Sequence, residues 1–234
     1  MTRSQPYMVE NLFNTISPSY DKLNDLLSLG LHRSWKSKLL NTLNPRRGEN
    51  WLDLCCGTGD MSLMLARRLR TSQSIIAIDT ALKALQIAKE RSRKEGLETF
   101  ISWLQIDAIE TDLPSDRFDG VVMAYGLRNL SDPYRSIKEI YRVLKNGGRC
   151  GILDFKKHEE GSIRERFQKF YLRKIVVPIA SKYGFFNQYA YIEKSLLQFP
   201  SVSTQIQMAL DIGFKEATYS TVCFGQMAIL NLRK

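Results

Sequence analysis

The sequence predicts an α/β fold in which a mostly parallel sheet is covered by helices on both faces. Between residues 50 and 155, short apolar runs typical of buried strands alternate with longer stretches that repeat apolar side chains at helical spacing. This alternation favours a parallel sheet, because the connection between two parallel strands passes through a helix. A glycine-containing turn directly after the first strand is a second indication, since ligand-binding loops of such folds lie at that position.

Seven strands and three connecting helices can be placed on these patterns. We predict the strands at residues 51–54, 74–78, 100–104, 118–124, 150–155, 214–220 and 226–232. We predict the helices at residues 61–66, 82–93 and 133–145, with Gly147 and Gly148 as the stop signal of the last one. Since no repeat or linker is visible, we expect a single domain over residues 1–234.

Two segments stand outside the alternation. Residues 1–45 are helix-prone, are interrupted at Ser17-Pro18, and are expected to form an N-terminal helical cap. Residues 156–205 are expected to form a helical insertion that covers the substrate site. Its first helix carries an apolar stripe that includes Phe167, and basic side chains fill the other positions. This stripe either packs against the domain or lies on an anionic membrane surface.

The composition is that of an ordinary globular protein. Of the 234 residues, 44% are hydrophobic and 25% are charged, which excludes disordered, collagen-like and low-complexity classes. The two histidines, His32 and His158, are too few for a His-rich metal cluster. The four cysteines form no Cys-x-x-Cys pair, so neither a zinc site nor a disulfide framework is indicated. We therefore expect a reduced, cytoplasmic protein that holds no metal.

The unusual quantity is the net charge of +10, with a pI near 9.5. An excess of this size indicates nucleic acid, an anionic membrane surface or an anionic ligand. No apolar run approaches the roughly 18–20 residues of a membrane-spanning helix, and the opening residues lead into no secretory signal. We expect any membrane contact to be peripheral.

The most informative stretch runs from Leu52 to Asp60, where the first strand turns into the first helix. Strand carboxyl ends and helix amino ends converge at this place in an open parallel sheet, and ligands bind there. Gly57 and Gly59 let the backbone approach a ligand closely. Asp79 ends the second strand, 20 residues beyond Gly59, where a carboxylate can accept both hydroxyl groups of a ribose.

The same loop limits which ligand it can hold. A dinucleotide needs a third glycine, but Ser62 occupies that position, and the Gly-Lys-Ser/Thr end of a phosphate-binding loop is absent. A ligand with a ribose but no pyrophosphate fits better, and S-adenosylmethionine is the common one. We assign Asp53, Gly57, Gly59 and Asp79 to this cofactor.

The end of the third strand supplies a further contact. Asp107 can accept a hydrogen bond from the adenine amino group, and Ala108 leaves a backbone amide for a ring nitrogen. The alternative is that Asp107 is only a turn residue. Cys55 and Cys56 have no base near them in the sequence, so we interpret them as small packing residues.

Four stretches, which together cover nearly the whole chain, carry a resemblance to a known family. They are FNTISPSYDKLND (13–25) with SLGLHRSWK (28–36), LDLCCGTGD (52–60), GLRN (126–129) with RVLKNGGR (142–149), and YIEKSLLQFP (191–200). They resemble the C-methyltransferases of ubiquinone and menaquinone biosynthesis, within the class I methyltransferases. The second stretch is shared by methyltransferases generally, whereas the others are specific to the quinone branch. LDLCCG looks especially like the cyanobacterial and chloroplast members that methylate demethylphylloquinone.

This resemblance implies a class I fold and S-adenosylmethionine-dependent methylation of a ring carbon of a reduced, demethylated prenyl-naphthoquinone, with a benzoquinol as the alternative. It places Thr58, Asp79, Asp107 and Ala108 at the family's cofactor positions.

Three positions depart from the pattern of similar proteins. Ala124 stands where many members have a serine, and Asp154 replaces the usual glutamate after the fifth strand. Cys55 stands where other class I methyltransferases often have a glycine.

The implied reaction needs help from the protein, because a ring carbon is a poor nucleophile until a neighbouring phenol, with a pKa of about 10, ionises. Arg128 is the candidate that stabilises the phenolate oxygen, or else it is a structural arginine of its loop. Asn129 can orient a water or the second hydroxyl group. The proton would pass to water, His32 or Asp154, among which the sequence does not choose.

Two other functions compete with this interpretation. An RNA methyltransferase would use the positive charge, but no basic-aromatic RNA module is visible, so we expect no nucleic acid partner. A non-catalytic cofactor-binding subunit is disfavoured by the intact set of Gly57, Gly59 and Asp79. The expected partners are a prenylated quinol and an anionic surface of the inner or thylakoid membrane. The sequence leaves the oligomeric state open, a homodimer included.

Overall fold

A computed structural model describes Asp25, Ser28 and residues 30–234. The predicted cap before residue 30, with its interruption at Ser17-Pro18, otherwise lies outside the described residues. The strands are β1 (Trp51–Leu54), β2 (Ile75–Asp79), β3 (Ile101–Gln105), β4 (Phe118–Ala124), β5 (Leu144–Phe155), β6 (Glu216–Val222) and β7 (Met227–Arg233).

The helices follow the predicted alternation and add the insertion after β5. They are α1 (Leu31–Leu43), α2 (Asp60–Leu69), α3 (Leu82–Lys94), α4 (Pro133–Val143), α5 (Ile163–Tyr171), α6 (Val177–Lys182), α7 (Phe186–Gln198) and α8 (Val202–Ile212). Short 3-10 turns lie at Glu98–Phe100, Leu127–Asn129 and Cys223–Gly225, and a π-helical turn at Leu172–Val176 joins α5 to α6.

The described strands form one seven-stranded sheet in the order β3-β2-β1-β4-β5-β7-β6. The pairs from β3 to β5 are parallel, and β7 runs antiparallel to both β5 and β6. This confirms the predicted mostly parallel sheet of seven strands. From β1 the strands continue through β2 to β3 on one side of the sheet, and from β4 they continue to β5 on the other side. A crevice therefore opens between β1 and β4 at their carboxyl ends.

Alternation along β1 divides the core between the two faces of the sheet, because successive side chains of a strand point to opposite sides. Trp51 packs with the apolar residues of α1 and α2 on one face. Leu52 and Leu54 pack on the other face with α4 and β7 side chains. Asp53 therefore points to the same side as Trp51, toward α2.

The first helix is held tightly against β5. A β-carbon added at Gly151 would stand 2.5 Å from Leu39 and 2.8 Å from Leu43, so the absence of a side chain in β5 makes room for α1. Leu39, Leu40 and Leu43 are buried in this contact. The packing fixes the orientation of α1 and hence the direction of its remaining side chains.

Some boundaries differ from those predicted. The helix predicted to reach residue 145 ends at Val143, because Leu144 already has an extended backbone and pairs with Phe118 of β4. Gly147 and Gly148 consequently lie inside β5 and do not end the helix. In addition, β6 and β7 begin at Glu216 and Met227, slightly later than predicted.

The predicted insertion, residues 156–205, is helical and contains several helices. The helix begun by α5 passes through the π-helical turn into α6, and α7 follows after Gly184. Leu172, Val176 and Ala180 from this segment are buried in the core on the α4 side of the sheet. No helix among the described residues is both long and apolar enough to cross a bilayer.

Candidate functional site

A cleft opens at the carboxyl ends of β1 to β4, at the point where the strand order reverses. Its walls come from α1, the β1–α2 loop, the end of β2, the segment after β3, and the loop after β4. Of the predicted site residues, the cleft is lined by Asp53, Gly57, Thr58, Asp79, Asp107, Ala108 and Asn129.

The Asp79 carboxylate is fixed at the end of β2 by two backbone donors. Gly57 N–H donates to Oδ2 and Ala81 N–H donates to Oδ1, each at 2.8 Å. A carboxylate oxygen accepts more than one hydrogen bond, so the held carboxylate can also receive hydroxyl groups from the cleft. The predicted link between the glycine loop and Asp79 is therefore a direct hydrogen bond in the folded protein.

The loop backbone explains the residue types at its tight positions. Gly59 has a φ of +90°, and an added β-carbon would stand 2.6 Å from the Trp103 ring. Cys55 has a φ of +55°, in the left-handed region that favours glycine. An added β-carbon at Gly126 would in turn stand 2.7 Å from that of Cys55. Cysteine thus replaces glycine at a strained position where only a small side chain fits.

Asp53 is buried beneath the loop. Ser62 Oγ donates to its Oδ2 at 2.5 Å, and its Oδ1 has no hydrogen-bond partner among the described residues. Burial raises the pKa of this carboxyl to about 7, against the opposing effects of the Ser62 hydrogen bond and the Lys36 charge. Asp53 is therefore a cleft residue with an unsatisfied acceptor, and not a solvated charge at a helix start.

A cluster of three charges ties α1 to the loop. Lys36 Nζ lies 2.6 Å from Asp60 Oδ2, and Arg91 Nη2 lies 2.7 Å from Asp60 Oδ1. Arg91 Nη1 also donates to the Thr58 carbonyl at 2.8 Å. Because of these two cations, the pKa of Asp60 lies well below its usual range although burial opposes the shift.

The segment after β3 places two predicted residues on the opposite wall. Ile109 N–H donates to Asp107 Oδ1 at 2.9 Å, which holds this carboxylate in a turn. Ala108 is buried, and both residues line the cleft. The turn role and the predicted adenine-binding role of Asp107 are compatible, because its second oxygen is not used by Ile109.

Arg128, Asn129 and Asp154 meet where β4 and β5 end. Arg128 N–H donates to Asp154 Oδ2 at 3.1 Å, and Arg128 Nη1 lies 3.7 Å from Asp154 Oδ1. The guanidinium lies over the Phe155 ring, 5.1 Å from its centroid. Burial raises the pKa of Asp154, and the Arg128 charge and backbone donors oppose that rise. Of these three predicted residues, Asn129 alone lines the cleft.

Asn129 is anchored from both sides. Its Nδ2 donates to the Tyr125 carbonyl at 3.0 Å, and its Oδ1 accepts from Arg128 Nη1 at 3.4 Å. The guanidinium therefore lies behind the Asn129 amide as seen from the cleft. Tyr125 itself has a φ of +63°, a strained backbone that turns the chain at this wall.

The position of His32 does not support its predicted role as a proton acceptor. The side chain is buried on α1, outside the cleft lining, with Nε2 3.1 Å from Asp25 Oδ1. Burial, together with the charge of Lys36, lowers the pKa of His32 to about 4. A group of such low basicity would remain unprotonated at neutral pH.

The thiols near the site are not poised to react. Burial and the surrounding acids raise the pKa of Cys55 and Cys56, which disfavours the thiolate form. This agrees with their interpretation as packing residues. Within the described residues, no group of three or more His, Cys, Asp or Glu side chains could hold a metal ion.

A family model for the ubiE/COQ5 methyltransferases matches residues 1–234, the full length of the chain. The chain belongs to the ubiE/COQ5 methyltransferase family. It is therefore an S-adenosylmethionine-dependent methyltransferase, as the glycine loop predicts. Its sequence is 41% identical to the 2-phytyl-1,4-naphtoquinone methyltransferase of Nostoc punctiforme over 97% of this chain and 98% of that protein. It is 37% identical to the chloroplastic 2-phytyl-1,4-beta-naphthoquinone methyltransferase of Arabidopsis thaliana, over 94% and 84% of the two chains.

Solved structures confirm the fold of this methyltransferase. A methyltransferase from Aquifex aeolicus superposes with a TM-score of 0.63 at 19% identity, over 91% of this chain and 97% of that one. A Haemonchus contortus phosphoethanolamine N-methyltransferase 2 in complex with S-adenosyl-L-methionine gives 0.65 at 15% identity, over 86% of this chain and 52% of that one. At such identities the likeness shows the class I fold alone.

The residues of this methyltransferase fit the cofactor on structural grounds. Asp79 is held in the cleft by the loop backbone, and Asp53 keeps a buried acceptor without a hydrogen-bond partner among the described residues. Gly59, which the sequence assigns to the cofactor, does not line the cleft, and the space beside it is taken by Trp103. The assignments of individual residues to the cofactor remain predictions.

Sequence analysis missed Lys36 and Asp60. A signal for Lys36 exists, because Leu39, Leu40 and Leu43 follow it at spacings of three, four and seven residues. Lys36 therefore stands on the apolar stripe of its helix, where lysine is rare unless it is paired. The partner, Asp60, is 24 residues away and could not be identified from spacing.

The raised pKa of Asp53 predicts how its replacement changes stability. Below about pH 4 the carboxyl is protonated in the folded and the unfolded chain, and between about pH 4 and 7 only the unfolded chain ionises. The folded state therefore loses relative stability as the pH rises through this window. The wild type should therefore lose stability relative to Asp53→Asn as the pH rises. Measured by scanning calorimetry, the melting temperature of the variant minus that of the wild type should increase by several degrees from pH 5 to pH 8.

A second variant provides a control of opposite sign. Ser62→Ala removes the donor that favours the ionised carboxylate, so its melting temperature should fall relative to the wild type over the same pH range. Differences that stay constant with pH in both variants would contradict the raised pKa of Asp53.

Proposed function

We propose that this methyltransferase methylates a ring carbon of a reduced, demethylated prenyl-naphthoquinone, either demethylphylloquinol or demethylmenaquinol. The observation that carries the proposal is the near full-length similarity to proteins named for 2-phytyl-1,4-naphthoquinone in cyanobacteria and in a plant chloroplast. Fold alone would not favour this substrate, because the same scaffold serves many methyl acceptors.

The chemistry assigns separate tasks to the cofactor and to the protein. S-adenosylmethionine supplies an electrophilic methyl group. The protein must favour ionisation of a quinol hydroxyl, whose pKa is about 10, so that the adjacent ring carbon becomes nucleophilic. After transfer, that carbon loses its original hydrogen as a proton, and the quinol is restored with one additional methyl group.

Asn129 is the residue that we assign to the quinol oxygen. It lines the cleft beside Ala124, and its amide is held by Tyr125 on one side and Arg128 on the other. A donor whose orientation is already fixed costs little reorganisation when negative charge develops on an oxygen. Ala124 has no polar group, so the polar side chains on this wall are those of Asn129 and Tyr125.

Arg128 acts through Asn129 in this scheme. Its guanidinium lies beside the Asn129 amide oxygen and the Asp154 carboxylate, outside the cleft lining. The positive charge there polarises the Asn129 amide toward the cleft, and Asp154 keeps the arginine in place. Since neither His32 nor Asp154 lines the cleft, we propose that the phenolic proton passes to water.

Variants of the loop after β4 test these roles. Asn129→Ala and Arg128→Ala should each lower turnover tenfold or more and shift the pH profile of kcat toward alkaline values, because the quinolate loses its stabilisation. Affinity for S-adenosylmethionine, measured by calorimetry, should change less than threefold. Arg135→Ala, an exposed arginine paired with Glu110, is the matched control and should behave as the wild type.

The pH profile of kcat distinguishes a residue that helps to stabilise the quinolate from one that only holds the loop in place. An arginine that only braces the loop would lower turnover at all pH values equally, without an alkaline shift. Turnover within threefold of the wild type in both variants would contradict the assignment.

A substrate panel tests the proposed reaction itself. The enzyme is incubated with S-adenosylmethionine and reduced demethylated naphthoquinols and benzoquinols that carry short or long prenyl tails, and products are identified by mass spectrometry. We expect an increase of one methyl group on the naphthoquinols. Preferential methylation of the benzoquinols would replace the naphthoquinol proposal, and transfer to none of them would overturn quinol methylation.

A membrane contact is the second part of the proposal, and it rests on one exposed surface. Ile163, Phe167 and Phe170 of α5 are exposed, and Phe224 is 96% exposed in the turn between β6 and β7. We call these four residues the apolar edge. The turn lies next to α5, since Gln168 Nε2 donates to the Gln226 carbonyl at 3.5 Å.

Charge supports an anionic bilayer as the occupant of this edge. Residues 156–182 contain eight basic and three acidic residues, which is half of the net charge of +10. Arg164, Arg166 and Lys174 are exposed there, while Glu165 is already paired with Lys169. Exposed aromatic side chains beside basic ones suit the interface of an anionic membrane, where each basic residue contributes about 1 kcal/mol.

Vesicle flotation tests the membrane contact. The wild type should float with vesicles that contain phosphatidylglycerol and much less with pure phosphatidylcholine, and Phe167→Ala/Phe224→Ala should lose most of this binding. Leu210→Ala, an exposed apolar residue on α8, is the control. Equal or negligible binding to both vesicle types would overturn the proposal. So would a wild-type dimer that dissociates in the double variant, since a second copy would then cover the edge.

A further inference from the structure

Tyr125 is the one aromatic residue among the described residues that line the cleft. It follows directly after β4 and lies on the same wall as Ala124 and Asn129. Its side chain is only partly buried, and the other described lining residues are aliphatic, polar or charged. An aromatic methyl acceptor that packs against an aromatic side chain of this lining would therefore meet Tyr125.

The backbone of Tyr125 has a conformation that tyrosine rarely adopts. Its φ of +63° lies in the left-handed region, which is uncommon for a bulky residue. The Tyr125 N–H donates to the Leu153 carbonyl at 2.7 Å, and the Tyr125 carbonyl accepts from Asn129 Nδ2 at 3.0 Å. The next residue, Gly126, has no room for a β-carbon, which would stand 2.7 Å from that of Cys55. These surroundings keep the strained backbone in place, and with it the direction of the side chain.

Two neighbouring side chains fix the Tyr125 ring itself. Lys36 Nζ lies over the ring, 5.7 Å from its centroid. The Phe155 ring lies 6.4 Å away between centroids and is tilted by 54°. Both arrangements are favourable for an aromatic ring. The ring is thus an apolar surface whose orientation is set before a ligand binds, which lowers the cost of binding against it.

Tyr125 and Asn129 belong to one hydrogen-bonded turn. The Asn129 amide, which we assign to the quinol oxygen, is anchored on the Tyr125 carbonyl. The aromatic ring and the polar group of this wall therefore keep a fixed relative position. Such a wall can hold the oxygen of a flat acceptor with one residue and the apolar part of its ring system with the other.

We propose that Tyr125 is a specificity-determining residue that packs against the fused second ring of a bicyclic quinol. This inference rests on the proposed quinol substrate and adds the residue that selects its ring. Offset or edge-to-face aromatic pairs are favourable beyond the area that they bury. A naphthoquinol offers a fused ring for this contact, whereas a benzoquinol has none. The contact should therefore favour naphthoquinols over benzoquinols as methyl acceptors.

Two acceptors with the same short prenyl tail, a reduced 2-prenyl-naphthoquinone and a reduced 2-prenyl-benzoquinone, test this role. The wild type should methylate the naphthoquinol with a kcat/KM at least tenfold higher. Tyr125→Phe keeps the ring and should keep this ratio within twofold. Tyr125→Leu removes the ring without adding a β-branch, which the left-handed backbone would disfavour. It should lower the ratio at least fivefold, mainly through a higher KM for the naphthoquinol.

Controls separate this role from a structural one. Tyr134→Leu replaces an exposed tyrosine on α4 and should behave as the wild type. Affinity for S-adenosylmethionine, measured by calorimetry, should change less than threefold in Tyr125→Leu. A structural defect would lower kcat/KM for both acceptors equally, so a ratio within twofold of the wild type in Tyr125→Leu would overturn the inference. A tenfold loss of turnover in Tyr125→Phe would also overturn it, because the hydroxyl group and not the ring would then be needed.

Failure of the inference and failure of the proposed function give different results. Transfer to neither acceptor, or a wild-type preference for the benzoquinol, would overturn the naphthoquinol substrate and the inference with it. Transfer with an unchanged ratio in Tyr125→Leu would overturn the role of Tyr125 alone. Should Tyr125→Leu fail to fold, competition in the wild type decides. Naphthalene-1,4-diol should inhibit methylation of the naphthoquinol at least tenfold more strongly than benzene-1,4-diol, and equal inhibition by the two diols would overturn the inference.

Discussion

The partly buried charge cluster of Lys36, Asp60 and Arg91 is the interaction on which the rest of the site depends. It joins α1, the amino end of α2 and the face of α3 at one point. A pair of this kind contributes little net stability compared with apolar packing, but breaking it leaves a buried charge without a partner. The cluster therefore specifies where the glycine loop lies relative to the first helix, and that placement defines one end of the cleft.

Packing on the sheet provides the rigid frame for this cluster. Gly151 of β5 lets α1 approach closely, and α1 in turn aims Lys36 at the loop. On the far side, the hydrogen bond from Gly57 N–H to Asp79 ties the same loop to the end of β2. The glycine loop is held at both ends by groups that also face the cleft, so binding and loop position are coupled.

The part of this arrangement that could be predicted from sequence is the part encoded by local patterns. Strand and helix alternation predicts the sheet. The glycine turn after the first strand and the acid at the end of the second predict Gly57 and Asp79, which the fold does bring to one cleft, whereas Gly59 does not line it. The prediction for α4 failed at its end, because pairing of Leu144 with Phe118 is a contact between strands that helical periodicity does not report.

The features that could not be predicted from the sequence depend on the direction in which a side chain points, or on contacts between residues that are far apart in the sequence. Arg128 was correctly placed in the loop after β4, yet sequence could not show that its guanidinium turns toward Asp154 and Phe155. His32 lies on the buried side of α1, a position that follows only from the packing of that helix. Phe224 was not identified because a single phenylalanine in a turn has no periodic pattern, and its exposure depends on a left-handed backbone at that residue.

The proposed site has a cofactor half and an acceptor half. Asp53 and Asp79 belong to the first, and Asn129, supported by Arg128, belongs to the second. The two halves meet at Tyr125, whose strained backbone follows β4 and whose ring lies near the Lys36 ammonium group. A methyl group carried between them would face the Asn129 wall, which is where a quinol oxygen would be held next to the reacting carbon.

The position of the transferred methyl group tests this account most directly. Reduced demethylphylloquinone is incubated with the enzyme and with S-adenosylmethionine labelled with carbon-13 in its methyl group, and the product is examined by nuclear magnetic resonance. The account predicts a labelled methyl signal on a ring carbon, with both hydroxyl oxygens unmethylated. A label on oxygen, or no transfer to the quinol, would contradict it.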